Sequence, residues 1–402
     1  MSTIILFIFL VFATYFYLKF LKKKHPFLNS YLLMLLFFYH TLFFGIYFIY
    51  AMYKPSDSKR YYYVSFVANS WKEFFNSGTD FISFLAIPFV RLGFSYADMM
   101  LLFSWFGYLG FVYAYLFFRE NIPEKVKIFG IDFLTLLLFL PNMHFWTASL
   151  GKGSIIFFGL MMMAYAIKNP RKRWGSLGVG ALLVYMVRPH VMLFVMVGIL
   201  FGYFFGREKA SLSTKIFILI SFLVFLFIAS DSILKLVNLE NSENLAQDFL
   251  EFSELQSERL SESSGSGVDM NNYSLPMKFF TFWFRPLFVD APNALGLITS
   301  FENLLYLFIF FKILNRDFFT FLRKSPRIVK TSITIFLLAT FALTFLMSNL
   351  GIIMRQKSQV MYFAFFVIYY YLALKQSYRR KILMEKRKRQ QKMYKERNFN
   401  TI

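Results

Sequence analysis

KNPRKRWGSLGVGALLVYMVRPHVMLFVMVGILFGYFFGREKASLSTK, residues 168–215, decides how this chain is arranged. Two apolar runs, 175–187 and 191–206, meet at Arg188-Pro189-His190 and are bounded by Lys168–Arg173 and Arg207–Lys215. Each run is shorter than the ~20 residues a helix needs to cross hydrocarbon. One long kinked helix would put the two basic clusters on opposite faces of a membrane, against the bias of Lys and Arg toward the cytoplasmic side. Two short passages keep both clusters on one side, with the Arg188-Pro189-His190 turn partly inside the outer leaflet.

The same contrast runs through the whole chain. Dense basic runs occur at Lys22–Lys24, Lys168 to Arg173, Arg207 to Lys215, Arg316 to Lys330 and Arg379 to Arg397. The intervening gaps carry isolated charges beside aromatics, Pro or Gly: Asp57, Arg60, Lys152, Arg188, Arg285, Arg355 and Lys357. The first class fixes orientation. The second has no topological use, so function is sought there.

Of 402 residues, 57% are hydrophobic and only 16% charged, more apolar surface than a soluble domain can hide. The expected fold class is an all-α polytopic membrane protein with about eleven transmembrane helices. The spans are read at 3–20, 31–53, 98–118, 128–146, 153–167, 175–187, 191–206, 216–238, 296–314, 331–349 and 360–376. Residues 1–378 form one membrane domain, and 379–402 form a basic cytoplasmic tail. Residues 3–20 resemble a signal peptide in apolarity, but no basic residue precedes them and KKK follows, which predicts a retained helix with its N-terminus outside. The net charge of +22 is not a nucleic-acid footprint, because its Lys and Arg sit in short gaps and in the tail, facing an anionic leaflet of membrane lipids. With no cysteine, disulfides, thiolate catalysis and cysteine-based metal sites are excluded.

Two apolar stretches are too short to span, Phe81–Gly93 and Phe279–Asp290, and read as re-entrant or interfacial helices on the outer side. The long polar stretch 239–278 is acidic, with a Ser/Gly run at 261–267. Its part Glu243–Leu260 has helical propensity and could form a lid over the outer mouth. The other reading is a solvated loop without chemistry.

Charges near the apolar layer cost about 2.5–3.5 kcal/mol each on insertion scales, so each needs a partner or a purpose. The outer half gathers Lys152, Arg188, Arg285 and Arg355, with Lys357 nearby; Arg offers a planar fork matched to phosphate oxygens. The bland reading has each Arg snorkelling to headgroups or pairing with a local carboxylate such as Asp290. His25 reads as inert and His40 as a core histidine. His144 and His190 fall at outer span ends, where a neutral imidazole could take a proton from a sugar hydroxyl. Asp57 stands before Tyr61–Tyr63, a carboxylate beside aromatic faces that stack on pyranose rings, so Tyr62 is a candidate sugar contact. Glu302 should be buried inside its span, protonated or paired with an Arg such as Arg285. No spacing of His, Asp and Glu suits a metal site.

Ser56-Asp57-Ser58, Pro141-Asn142-Met143-His144 leading to Gly151-Lys152-Gly153-Ser154, Arg188-Pro189-His190, and Phe284-Arg285-Pro286-Leu287 with Glu302-Asn303, Arg355 and Lys357 together carry a resemblance. The chain resembles bacterial polysaccharide polymerases of the Wzy and EpsG type, within a wider glycosyltransferase-C-like group. The resemblance implies O-antigen, capsule or exopolysaccharide synthesis at the bacterial inner membrane, with the C-terminus cytoplasmic. It implies an inverting, metal-independent transfer of a glycan from a polyprenyl diphosphate (undecaprenyl diphosphate in bacteria) to a growing glycan on the periplasmic face. Donor and acceptor glycans and other polysaccharide assembly proteins are the implied partners, and no cofactor is implied. Arg188, Arg285 and Arg355, supported by Lys152, would hold the diphosphate, and His144 or Asp57 would be the base. Related O-antigen ligases carry a catalytic histidine in the long periplasmic loop, and residues 239–278 hold none. Two alternatives remain: a transferase using a polyprenyl-monophosphate sugar, or a flippase of lipid-linked oligosaccharides.

Overall fold

The computed structural model describes residues 2–122, 124–236, 244–262, 267–270, 272–291 and 293–399. Over these residues the protein is helical apart from one short hairpin and an isolated bridge between Gly267 and Asn349. The chain opens with α1 (Thr3–Lys24) and α2 (Ser30–Tyr53), then two short helices packed on each other, α3 (Asp57–Val67) and α4 (Thr79–Arg91). The long α5 (Tyr96–Asn121) is followed by β1 (Lys127–Ile128), β2 (Ile131–Asp132), α6 (Phe133–Leu138), α7 (Pro141–Thr147) and α8 (Lys152–Ile167). Next come α9 (Trp174–Val187), α10 (Pro189–Phe205), α11 (Leu212–Leu236), α12 (Leu245–Glu262) and α13 (Leu275–Phe284). The last four are α14 (Ala294–Ile313), α15 (Arg316–Arg323), α16 (Arg327–Leu346) and α17 (Leu350–Phe399).

Local chemistry sets many of the helix starts. The Asn29 side chain accepts from Leu32 N, Ser95 and Asp98 form a reciprocal capping box, and Asn293 and Asn315 cap α14 and α15. Pro141 and Pro189 open α7 and α10, positions where a missing N–H costs nothing.

Six of the described helices are long and apolar enough to cross a membrane: α1, α2, α5, α11, α14 and α16. The protein is therefore an all-α polytopic membrane protein. Burial sorts these helices: 83% of the apolar window of α5 is buried, against 6% for α11. Thus α5 is the axis of the bundle and α11 lies at its edge.

Residues 128–146, expected as one span, form instead the β1–β2 hairpin, α6 and α7. Phe129 and Gly130 take positive φ at the hairpin turn, and Pro141 starts a new helix after an extended Leu140. A bend of 113° then separates α7 from α8. The bend closes tightly because Gly153 has no side chain: a Cβ there would lie 2.2 Å from Trp146 O. The stretches 81–93 and 279–290 are α4 and the end of α13 with a short 3-10 turn, Phe288–Asp290. The final span begins earlier than expected, so Arg355 and Lys357 lie within the first two turns of α17. The tail from 379 continues the same helix to Phe399, and 400–402 lie outside the described residues. Residues 239–243 of the acidic stretch and most of its Ser/Gly run also lie outside them.

The two ends of the bundle differ in chemistry. At one end the basic loops meet acids and tyrosines: Arg119 pairs with Asp132, Arg173 with Glu120 at 2.7 Å, and Lys168 with Glu120 at 3.9 Å. His25, whose imidazole burial holds below its usual range, bonds Tyr165 OH there at 2.9 Å. The other end collects the C-termini of α9, α11 and α16 with the N-termini of α8, α10 and α17.

The wall between these ends that the site depends on is α10 against α16. Their close approach rests on Gly202, where an added Cβ would lie 2.0 Å from Thr331 Oγ1 and 2.8 Å from Arg327 O. Gly202→Val is expected to cost about 1–3 kcal/mol by overpacking. A thermal melt of the detergent-solubilised protein should show it as a lowered unfolding temperature.

Candidate anionic-ligand cavity

A cavity of about 820 Å³ lies at the second end of the bundle. Its walls follow helical periodicity. From α3 come Asp57, Arg60 and Tyr61, spaced i, i+3 and i+4, and from α17 come Ile352, Arg355 and Gln356 with the same spacing. The first two turns of α10 add Pro189, His190, Leu193 and Phe194, beside Arg188, and Lys152 enters from the start of α8. The last turns of α11 supply Ser232, Ile233 and Lys235, and α16 supplies Ala342, Leu343, Leu346 and Met347. Ser77, Gly78 and Thr79 close one side, Phe252 and Gln256 of α12 another.

Two kinds of surface face this space. One is cationic: Arg60, Lys152, Arg188, Lys235 and Arg355, five positive side chains against the single carboxylate of Asp57. The other is apolar: Leu193 and Phe194 of α10, Ile233 of α11, and Ala342, Leu343, Leu346 and Met347 at the end of α16.

Arg188 sits deepest, with 8% of its surface exposed. It stands in non-helical backbone between α9 and α10, and its Nη1 donates to Gln356 Oε1 and, at 3.4 Å, to Gln359 Oε1. Two neutral amides satisfy donors of the guanidinium without cancelling its charge. Arg355 Nη1 pairs with Asp57 Oδ2 at 3.2 Å. Asp57 is the more exposed partner. Among the described residues no hydrogen bond ends on Lys152 Nζ, and His190 Nδ1 is enclosed without a partner.

α12 is amphipathic, and its orientation is specific. Phe252 and Gln256 face inward, while Glu251, Glu254 and Glu258 are exposed. Ser257 Oγ touches Ser348 Oγ and Asn349 Nδ2 donates to Leu260 O at 3.4 Å, fastening α12 to the α16–α17 junction.

The structure thus brings together Asp57, Lys152, Arg188, His190 and Arg355 of the residues singled out in the sequence. The others take different places. His144 is a core residue: its Nδ1 meets His40 Nδ1 at 2.7 Å, its Nε2 meets Leu138 O at 2.7 Å, and its ring stacks on Phe111 at 4.1 Å. With both nitrogens engaged and no exposed surface, it does not line the cavity. Glu302 is buried, but not against Arg285: it accepts from Asn142 N at the start of α7 and from Tyr306 OH at 2.7 Å. Arg285 pairs with Asp290 and donates to Tyr273 OH at 3.2 Å. Tyr62 donates to Phe94 O at 3.3 Å, and it is Tyr61 that reaches the cavity.

Lys357 is the clearest correction. It is fully buried, and Nζ donates to Trp283 O at 3.2 Å, Arg285 O at 2.9 Å and Asn303 Oδ1 at 2.7 Å. Asn303 Nδ2 completes the cluster by donating to Pro286 O at 2.7 Å. This ammonium ties α13, α14 and α17 together behind the Arg355 face.

Arg60, Lys235, Gln256 and Gln356 are additions that the sequence reading did not place at the site. The i, i+3, i+4 rule applied from Asp57 and from Ile352 would have found Arg60 and Gln356. No sequence signal ties Lys235 or Gln256 to the others.

No family model, curated protein or solved structure matches this chain.

Lys357→Ala strips three buried acceptors of their donor, each worth about 1–3 kcal/mol when left unsatisfied. A drop of roughly 5 °C or more in unfolding temperature is expected in detergent. Arg188→Gln should move the same transition far less, since it removes a buried charge among other cations.

Proposed function

We propose that this protein is a membrane glycosyltransferase that moves a glycan from a polyprenyl-diphosphate carrier to a growing glycan, as polysaccharide polymerases of the Wzy and EpsG type do. One observation carries the reading: a cavity lined both by five cations and by a set of apolar side chains from α10 and α16. A lipid-linked diphosphate has that same division. The anion belongs at Lys152 and Arg188, and the isoprenoid chain along α10, α11 and α16. A monophosphate carrier would leave more of this positive charge unanswered, and a flippase would not call for a carboxylate beside the bound phosphate.

In the proposed reaction the Asp57 carboxylate accepts the proton of an acceptor hydroxyl. The freed oxygen attacks the anomeric carbon as the bond from that carbon to the diphosphate oxygen breaks, and the electron pair leaves on the diphosphate. Lys152 and Arg188 stabilise that developing charge, because their positions are fixed before the reaction begins. Arg355, paired to Asp57, orients the carboxylate. Of the two candidate bases, Asp57 is the one that faces the cavity, since His144 is enclosed in the core.

The finer topology belongs to the same proposal. The ion-paired basic end faces the cytoplasm by the positive-inside rule, and the cavity opens on the periplasmic side. About eleven passages result when the short α9 and α10, the broken α6–α7 segment, α8 and α17 are counted with the six long spans. α4 and α13 then lie near the periplasmic interface, and α12 acts as a lid over the cavity.

The test is polymer formation by membranes containing each variant. Asp57→Asn should lower product by at least about 100-fold, the usual worth of a positioned base, while undecaprenyl diphosphate still binds. Lys152→Ala and Arg188→Ala should lose that binding. Wild-type chain lengths in all three variants would overturn the assignment.

A further inference from the structure

The cavity holds more positive charge than a diphosphate uses, and the surplus is not randomly placed. Resting on the transferase reading above, Lys152 and Arg188 are assigned to the carrier, and Arg355 is already neutralised by Asp57. Arg60 and Lys235 remain. Both are exposed at the rim, one on α3 and one on the last turn of α11, and neither has an ion pair among the described residues.

Their settings differ in a useful way. A lysine in the last turn of a helix is favoured by the helix dipole and needs no ligand to explain it. Arg60 has no such support. It lies in the first turn of α3, the end where a cation is disfavoured, and the nearest acid in sequence, Asp57, is committed to Arg355. The acidic helix α12 does not serve these cations either, because Glu251, Glu254 and Glu258 are exposed while Phe252 and Gln256 face the cavity. Hydroxyls that suit sugar line the same cavity: Ser77, Thr79 and Tyr61.

We propose that the glycan handled by this enzyme is itself acidic, and that Arg60 and Lys235 bind its carboxylate or other anionic substituents. The site takes a sugar polymer bearing one-sign charge at intervals, of which uronic-acid glycans are the simplest case. Arg60, which can grip a carboxylate with two parallel N–H donors, is the principal ligand. Lys235 holds a second charge as a point contact.

The test measures binding to the full-length protein in detergent, using a galacturonic acid hexamer and the neutral maltohexaose. The wild type should bind the uronate hexamer at least about tenfold more tightly than the neutral one. Arg60→Gln combined with Lys235→Gln should remove that preference and leave undecaprenyl diphosphate binding unchanged. Equal binding of the two hexamers by the wild type, or a preference that survives in the double variant, overturns the proposal. A third arm uses nanodiscs with and without phosphatidylglycerol. If the double variant loses only a phosphatidylglycerol dependence, the two cations are headgroup anchors and the proposal fails. If Arg188→Gln keeps undecaprenyl diphosphate while the double variant loses the uronate hexamer, the diphosphate assignment falls and the acidic-glycan site stands.

Discussion

A buried guanidinium must be answered by hydrogen bonds, by an opposite charge or by a polar space, and the Arg188 site is built around that requirement. Gln356 and Gln359 supply hydrogen bonds from α17, which fixes how the α9–α10 turn sits against α17. Neither amide carries charge, so the positive field remains and is directed into the cavity. The break between α9 and α10 follows from the same need: Arg188 in non-helical backbone and Pro189 as the first residue of α10 let the side chain reach α17. Two short apolar helices in place of one long one are the structural expression of one buried charge.

Behind this face a second buried cation does the opposite job. Lys357 is surrounded by carbonyl oxygens and an amide oxygen, with no room for a ligand. It fixes α17 against α13 and α14, and Glu302 fixes α14 against the start of α7. Thus two charges that insertion energetics would flag alike are used differently, one as a joint and one as part of a cavity wall. The distinction rests on partners: three saturated donors for Lys357, and an open cavity wall for Arg188.

The sequence made the general class legible because apolar length and basic asymmetry depend on local composition alone. It also singled out Lys152, Arg188 and Arg355, which line one cavity, since a lone charge next to a span has few explanations. It failed where the answer depends on which side of a helix a residue occupies. Arg355 and Lys357 are two positions apart, so on a helix they point to nearly opposite sides and could not both reach one cavity. Tyr61 and Tyr62 are separated by the same logic, with Tyr61 joining Asp57 and Arg60 on one face. His144 was misplaced for another reason. The run 128–146 looked like one span, which would have carried His144 to an outer end, whereas the breaks at Gly130 and Pro141 hold it in the core beside His40.

The distribution of ion pairs separates the two ends of the molecule more sharply than the distribution of charge does. At the basic end, Arg119, Lys168, Arg173 and Arg380 each meet a carboxylate from another segment. Those pairs hold α5, the hairpin, the α8–α9 loop and α17 in place. At the cavity end only Arg355 among the lining cations has a carboxylate within ion-pair distance, among the described residues. Like charges drawn toward one space repel, and a protein gains nothing in stability from arranging them so. The acids needed to quiet them are present in α12 but are turned outward. Among the described residues the cavity is thus left with net positive charge, and it shares its walls with the apolar side chains of α10 and α16.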